Sequence, residues 1–446
     1  MATLPPGPRS PRLVQVMRWI RQPIPLMKEC AERYGDGFTL RFPGFPPLVF
    51  FSAPAAIKEI FTADPEDLRA GEANVILEPL VGRHSLLRLD GAAHHRERRL
   101  LMPPFHGERM RVYGQVMRAI ADEIIDGWPL GRSFPVHPEM QRITLEVILR
   151  TVFGLEDGAR LALLRHKLTR MLAFGAANPR LALPLLQIDL GPLTAWGRLR
   201  QLIREVDAIL YEEFARRRAE PVAGREDILT MLLVARDEQG EPMTDLELRD
   251  EMITLLVAGH ETSATTLAWV LHRLLQHPEV LARARAELQA VVGAGPVAPE
   301  QVAQLEYLEA TIKETLRLNP IIPAVGRRLQ RPMRIGGRDL PAGVVAAPCI
   351  YLAHRRADVW DDPERFVPER FLTKKPGPYE FFPFGGGVRH CLGAAFATYE
   401  MKIVLAEMLA RAELRASPGY TVRVVRRGIT FAPSEGMPVI VDRRAA

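Results

Sequence analysis

The stretch that most constrains this chain runs from Phe381 to Gly393: Phe-Phe-Pro-Phe-Gly-Gly-Gly-Val-Arg-His-Cys-Leu-Gly. Three consecutive glycines, Gly385 to Gly387, let a backbone fold tightly under a flat object, because glycine alone enters positive φ freely. Cys391 follows, beside Arg389 and His390 and just ahead of an apolar helical run from Ala394 to Arg411. A sulfur near a helix N-terminus with positive charge beside it favours the thiolate, which is the metal-binding form. No second cysteine stands at the spacing that zinc or an iron–sulfur cluster needs. A single thiolate on iron implies haem. The competing reading is a buried structural cysteine in a glycine-rich loop.

Length and composition set the frame. The chain has 446 residues, 47% of them hydrophobic, enough for a large core. No Gly/Ser tract, low-complexity segment or internal repeat divides it. Long amphipathic stretches recur throughout, with short strand-like pieces near both ends. The pattern predicts a mainly α fold with small β-sheets, as one large domain over 1–446, led by a proline-rich and flexible first 20 residues. The net charge of +6 comes from 59 basic and 53 acidic residues, well mixed along the chain. That mixing argues against nucleic acid and for a local patch facing an acidic partner. Three cysteines, Cys30, Cys349 and Cys391, form no disulfide framework and fit a reducing, cytoplasmic interior. No apolar run of about 20 residues is present to span a bilayer, so a protein without a membrane anchor is expected.

Several elements are readable in order. Pro25–Tyr34 and Ala55–Phe61 read as helices, with a strand pair at Phe38–Phe42 and Leu48–Ser52 between them. Asp90 opens a basic helix in which His94 and Arg98, four apart, share a face, while Arg96 and Arg99 turn the other way. Helical periodicity dominates from Val112 to Gly154 and from Ala159 to Leu172. The apolar segment 181–192 carries two prolines and a glycine and does not read as helix. Thr244-Asp245-Leu246-Glu247 matches a capping box. It starts a helix uninterrupted until Pro278, roughly 48 Å long at ~1.5 Å per residue. The centre of that helix is almost uncharged except at Glu261, and buried carboxylates are rare unless paired or functional. Gly259 costs ~1 kcal/mol against alanine there, which points to a close approach. The Thr262 hydroxyl is within reach of the Ala258 or Gly259 carbonyl. His260 reads as a satisfied histidine rather than a ligand. Near the C-terminus, Thr421–Val425 and Met437–Val441 read as closing strands.

Taken together, Phe384-x-x-Gly387-x-Arg389-x-Cys391-x-Gly393, Ala258-Gly259-His260-Glu261-Thr262 and Glu314-x-x-Arg317 resemble the motifs of the cytochrome P-450 family of haem-thiolate monooxygenases. The resemblance spans nearly the whole chain. It implies haem b with Cys391 as the iron ligand. His94, Arg98, Arg327, Ala258, Gly259, Phe384, Arg389 and Gly393 would contact the cofactor, with His94 standing where the family usually has Trp. Glu261 and Thr262 would deliver protons to bound oxygen. Thr254, Val257, Pro323 and Ala324 would face substrate, and segment 181–192 would be a lid over the channel. Glu314, Arg317 and Arg370 would brace the core.

The implied activity is insertion of one oxygen atom of O2 into a C–H bond of a lipophilic small molecule of the fatty acid, terpenoid or steroid class. Electrons would come from an external ferredoxin-type donor, since no flavin or iron–sulfur motif is present. A monomer is expected. Arg96, Arg99 and Lys402 are the candidate docking patch for that donor. A peroxide-driven enzyme or isomerase of the same fold, and a haem sensor without turnover, are the rivals. The Glu261-Thr262 pair weighs against the first and the long apolar central helix against the second.

Overall fold

The computed structural model describes residues 4–105, 107, 109–155, 158–178, 181, 186–220, 224–293 and 295–444. Its axis is the helix Asp245–Gln276, 32 residues long. Thr244 starts it as the sequence predicts. The Thr244 hydroxyl accepts from the Glu247 N–H, and the Glu247 carboxylate accepts from the Thr244 N–H at 2.7 Å. Asp245 and Glu247 add negative charge at the positive end of the helix dipole. It ends at His277, ahead of Pro278, because a proline disfavours helix in the residue before it.

Leu256, Ala264, Leu267, Ala268, Val270 and Leu271 are at most 1% exposed, so this central helix is sheathed over most of its length. It packs against Val136–Thr151, Glu306–Leu318 and Ala394–Arg411. Trp269 donates its indole N–H to the Phe431 carbonyl at 2.9 Å, tying the helix to a C-terminal hairpin. None of the helices among the described residues is long and apolar enough to cross a membrane.

A five-stranded sheet lies beside this helical body in the order Gly37–Leu40, Leu48–Phe51, Val345–Pro348, Arg327–Leu329, Leu68–Arg69. Only the Leu48–Val345 pairing is parallel; the others are antiparallel. The sheet thereby fixes Arg327, opposite Ala346. A small hairpin, Met333–Ile335 with Arg338–Leu340, turns at Gly336-Gly337 as expected. The closing strands are Val424–Arg427 and Pro438–Arg444. Pro438–Arg444 lies between Ser133–Pro135 and Ala412–Ala416, two short strands that carry no alternation signal of their own.

Within the proline-rich lead-in, the described residues make specific contacts with the fold. From residue 4 onward they are tied down: the Pro6 carbonyl accepts from the Thr39 N–H at 2.9 Å and the Pro5 carbonyl from the Thr39 hydroxyl at 2.6 Å. The helix Arg12–Arg21 follows directly.

Glu314 and Arg317 sit on Glu306–Leu318 with both side chains fully buried, joined at 2.7 and 2.8 Å. Arg317 also donates to the carbonyls of His354, Pro363 and Arg365. Glu314 accepts from the Val367 N–H at 2.9 Å, and Arg370 approaches it at 3.6 Å. Removing one partner strands a buried charge, which costs about 3–5 kcal/mol, whereas replacing both by apolar groups can be close to neutral. Glu314→Ala should therefore lower the unfolding free energy by about that amount in urea denaturation, and Glu314→Leu with Arg317→Met should recover part of it.

Candidate haem-thiolate site

The loop 381–393 closes on itself through backbone bonds. The Gly385 N–H donates to the Phe382 carbonyl and the Cys391 N–H to the Phe384 carbonyl, both at 2.9 Å. The glycines answer a contact from outside the loop. At Gly387 (φ +63°) a Cβ would lie 2.3 Å from the Phe61 carbonyl oxygen. Backbone has no rotamer by which to yield, so any side chain there must displace the end of the helix Pro54–Thr62. Gly259 is a milder case. A Cβ there would meet only the tip of Ile148, at 3.2 Å, and Ile148 is the close approach that the sequence anticipates.

Cys391 is the exposed cysteine of the three; Cys30 and Cys349 are buried, their thiols pushed up to about 11 and about 12 by burial. Surface exposure and local crowding pull in different directions at Cys391. The residue is open to a probe, yet protein surrounds the sulfur closely enough that burial raises its thiol pKa. The Gly393 N–H and Arg98 pull it down without reversing the sign. The exposure governs access and the crowding governs the charge. The helix N-terminus and flanking arginine thus do not make the thiolate unaided, as the sequence suggested they would. A bound cation would, since coordination deprotonates a thiol outright.

The helix Gly91–Leu101 brings His94 and Arg98 toward the loop, and the sheet brings Arg327. His94 is 2% exposed, and burial followed by the nearby Arg389 and Arg98 pushes it down to about 3, so it is neutral. Arg327 is buried, and burial followed by Arg389 pushes it down to about 10. It donates to the carbonyls of Gly326 and Gly386. Among the described residues neither Arg98 nor Arg327 has a carboxylate partner, although buried cations are ordinarily paired. Arg389 differs: it donates to the carbonyls of Leu86 and Leu89 and to the Asp90 carboxylate, tying the loop to the start of the basic helix. An accessible sulfur on a glycine platform, ringed by unpaired guanidiniums, fits iron held in a ring that carries two carboxylates. The donor set fits haem.

On the central helix, Ala258 is exposed, and Gly259, Glu261 and Thr262 are half-buried, in a region otherwise sheathed. Ala258 and Thr262, four apart, share a face that is exposed at Ala258, and the Thr262 hydroxyl donates to the Ala258 carbonyl at 2.5 Å. Glu261 points elsewhere, toward Val136–Thr151. It accepts from Gln141 Nε2 at 2.6 Å and from the Thr265 hydroxyl at 3.3 Å, with His137 Nε2 at 3.7 Å. Burial raises the Glu261 carboxyl; Gln141 and Arg427 only moderate it. His260 is satisfied by Thr144 at 3.0 Å.

Of the residues expected near substrate, Thr254 is buried with its hydroxyl bonded to Ser85 and to the Asp250 carbonyl, both at 2.6 Å. Val257 and Ala324 are half-buried. Pro323 is buried, and its carbonyl accepts from the Tyr351 N–H at 3.1 Å. Of segment 181–192, residues 182–185 lie outside the described residues; Leu186, Ile188 and Leu190 are exposed.

The basic docking patch is overturned. Lys402 is 4% exposed and bonded to Glu309 at 3.0 Å. Arg96 is held by Asp237, Glu97 and Glu247, and Arg99 is paired with Glu238. Both face the segment leading into the central helix, so neither is a free cation.

His354 escaped the sequence reading. Fully buried, it accepts from the Phe382 N–H at 2.9 Å, so burial and this bond keep it neutral. Gln141 and His137, four apart on one helix, also went unnoticed, although that spacing opposite a buried acid is a readable signal.

Comparison with known proteins agrees with this geometry. The family model described as Cytochrome P450 matches residues 5–437. The chain is 44% identical over 439 residues to a putative cytochrome P450 135B1 of Mycobacterium tuberculosis, covering 98% of this chain and 91% of the relative. It is 38% identical to a putative cytochrome P450 135A1 of the same species, covering 99% and 96%. Among solved structures, the retinoic acid bound cyanobacterial CYP120A1 superposes with a TM-score of 0.87 at 25% identity over the whole of both chains. The cytochrome P450DA haem domain does so with the same values. The chain belongs to the cytochrome P450 family of haem-dependent monooxygenases.

Proposed function

We propose that this monooxygenase inserts one oxygen atom of O2 into a C–H bond of a lipophilic small molecule, using electrons from an external ferredoxin-type donor. The observation that carries the proposal is the position of Ala258 and Thr262. A core helix leaves one hydroxyl-bearing face open, which we read as the wall of a substrate cleft, with a carboxyl of raised pKa on the adjoining face.

Bound haem supplies activation of O2 when its iron is held by Cys391. His94, Arg98 and Arg327 would hold its carboxylates, where the two unpaired guanidiniums gain the partners they lack. Arg389 and Gly387 shape the loop from behind. Phe384 accepts the Cys391 N–H through its carbonyl, fixing where the sulfur points.

The remaining work is proton handling. Thr262 Oγ1 donates to the Ala258 carbonyl at rest and turns outward to donate into the cleft. The Glu261 carboxyl, raised above its ordinary range by burial, re-supplies the proton from the Gln141 side as a general acid. Val257, Pro323 and Ala324 give the cleft an apolar lining, which favours a lipophilic substrate. The retinoic acid in the cyanobacterial relative is of that chemical class. Thr254 anchors the segment around Ser85. The 181–192 segment is proposed as the channel lid. The protein is proposed to work as a cytoplasmic monomer, in keeping with three free cysteines.

Product formation with a ferredoxin system, and not with peroxide alone, tests the reaction directly. Cys391→Ser should abolish the thiolate-type absorption of the reduced carbonyl complex, and survival of that band would remove Cys391 as ligand. Arg98→Leu and Arg327→Leu should each weaken haem retention about tenfold, the worth of one charge-assisted bond, measured by transfer to apomyoglobin; unchanged transfer rates would place the carboxylates elsewhere. Thr262→Ala should bind substrate as the parent does, yet return severalfold less product per electron consumed. The protonated fraction of Glu261 falls as pH rises through its elevated pKa, so product per electron should decline toward alkaline pH. Glu261→Gln should flatten that decline.

A further inference from the structure

The helix Arg12–Arg21 carries a surface that the oxidation site does not use. At about 100° per residue, Gln15, Val16 and Trp19 face inward, and Leu13, Met17 and Ile20 fall within a sector of about 60° on the outside. Val14 stands at the shoulder of that sector. The exposures are 66% for Leu13, 41% for Val14, 50% for Met17 and 45% for Ile20.

This stripe is not a core face left unfilled by loose attachment, because the inner face is already fastened. Gln15 Nε2 donates to the Ser10 carbonyl at 2.8 Å, and Gln15 Oε1 accepts from the Arg41 N–H at 2.9 Å. Trp19 packs on Phe42 and Phe50 with ring centroids 6.0 and 5.6 Å apart.

Charge identifies the occupant. Arg9, Arg12, Arg18, Arg21 and Lys28 all precede the first acidic residue of the chain, Glu29. Arg18 is paired with Glu29 at 2.6 Å and Lys28 with Glu364 at 3.0 Å. Arg9, Arg12 and Arg21 are exposed and have no ion pair among the described residues. On the same projection Arg21 stands about 40° beyond Met17, at one edge of the stripe, with Arg18 further round on that side, whereas Arg12, in the first turn, falls on the inward sector between Trp19 and Val16. A second copy of the chain would bring arginine against arginine with no acid on the helix to answer them. An anionic lipid surface accepts both features: the apolar stripe enters the acyl boundary and the arginines reach the headgroups. Ten residues span only about 15 Å, too short to cross a bilayer, so the helix would lie flat.

We propose that Arg12–Arg21 is a peripheral docking face for an anionic phospholipid bilayer, with Leu13, Met17 and Ile20 inserted and Arg21 on the headgroups. The test is co-sedimentation of the full-length haem-loaded protein with vesicles, either of phosphatidylcholine alone or containing phosphatidylglycerol, over a salt series. Binding is expected on the phosphatidylglycerol vesicles only, weakening as salt rises. Leu13→Ser with Met17→Ser and Ile20→Ser should lower partition by about tenfold or more. Arg21→Gln should reduce the salt dependence. Thermal midpoint and haem spectrum should stay at parent values in both variants, since the substituted side chains face water. Absence of binding at low salt, equal binding to both lipids, or parent-like partition of the serine variant would each overturn the proposal. So would a parent dimer that the serine substitutions dissolve, which would give the face to a second copy.

Discussion

The rest of the site depends on a fully buried ion pair that never touches it. A loop of three glycines has little stiffness of its own, and glycine gives up more conformational freedom on ordering than any other residue. Order has to be imposed from below. Glu314 fixes Arg317, and Arg317 fixes the backbone at His354. The His354 ring receives the N–H of Phe382, where the loop begins. From Phe382 two backbone bonds lead on to Cys391. Taking two charges out of water is expensive, and such a pair is weak evidence for stability as such. Here its use is positional: Arg317 reaches three carbonyls of irregular backbone that no helix or sheet would satisfy.

A second constraint is charge left over. Arg389 directs its donors to Leu86, Leu89 and Asp90, while Arg98 and Arg327 converge on the same region with no ion pair of their own among the described residues. Burial lowers the pKa of all three guanidiniums and of His94. A fold that collects cations at its centre is under strain until anions arrive. Carboxylates on a bound ring would relieve it, and cofactor retention would then be coupled to stability of the loop by mass action.

How much of this was legible in the sequence depends on whether the signal was local. The capping box at Thr244, the glycines before Cys391 and the i,i+3 pair of Glu314 and Arg317 are chemical patterns within a few residues, and the structure realises each. The strand Ser133–Pro135 was not legible, because it exists only through pairing with Pro438–Arg444. His354 was not legible either, since its partners lie at Phe382 and Arg317. The docking patch failed for a related reason. Helical phase says which way Arg96 and Arg99 point but not what waits there, and the answer was Asp237, Glu238 and Glu247. Lys402 failed because its helix is buried on every side from Glu400 to Leu409, so no phase would have exposed it.

The thiol shows the limit of local reasoning most clearly. Neighbouring positive charge and a helix N-terminus are both present, yet burial outweighs them and the bare thiol titrates above its ordinary value. The same rule acts on Glu261 with the opposite use. For Cys391 burial opposes the functional charge state, and a metal cation must supply the difference. For Glu261 burial favours the protonated carboxyl, the form the proposed proton relay needs. The two sites are therefore matched. One needs its cofactor in order to ionise, and the other must stay water-poor in order not to. Thr262, adjacent to Glu261 but turned about 100° from it, is where the proposed relay would reach the site. A helix that placed both side chains on one face would open the carboxyl to the cleft and lose the elevation that makes it useful.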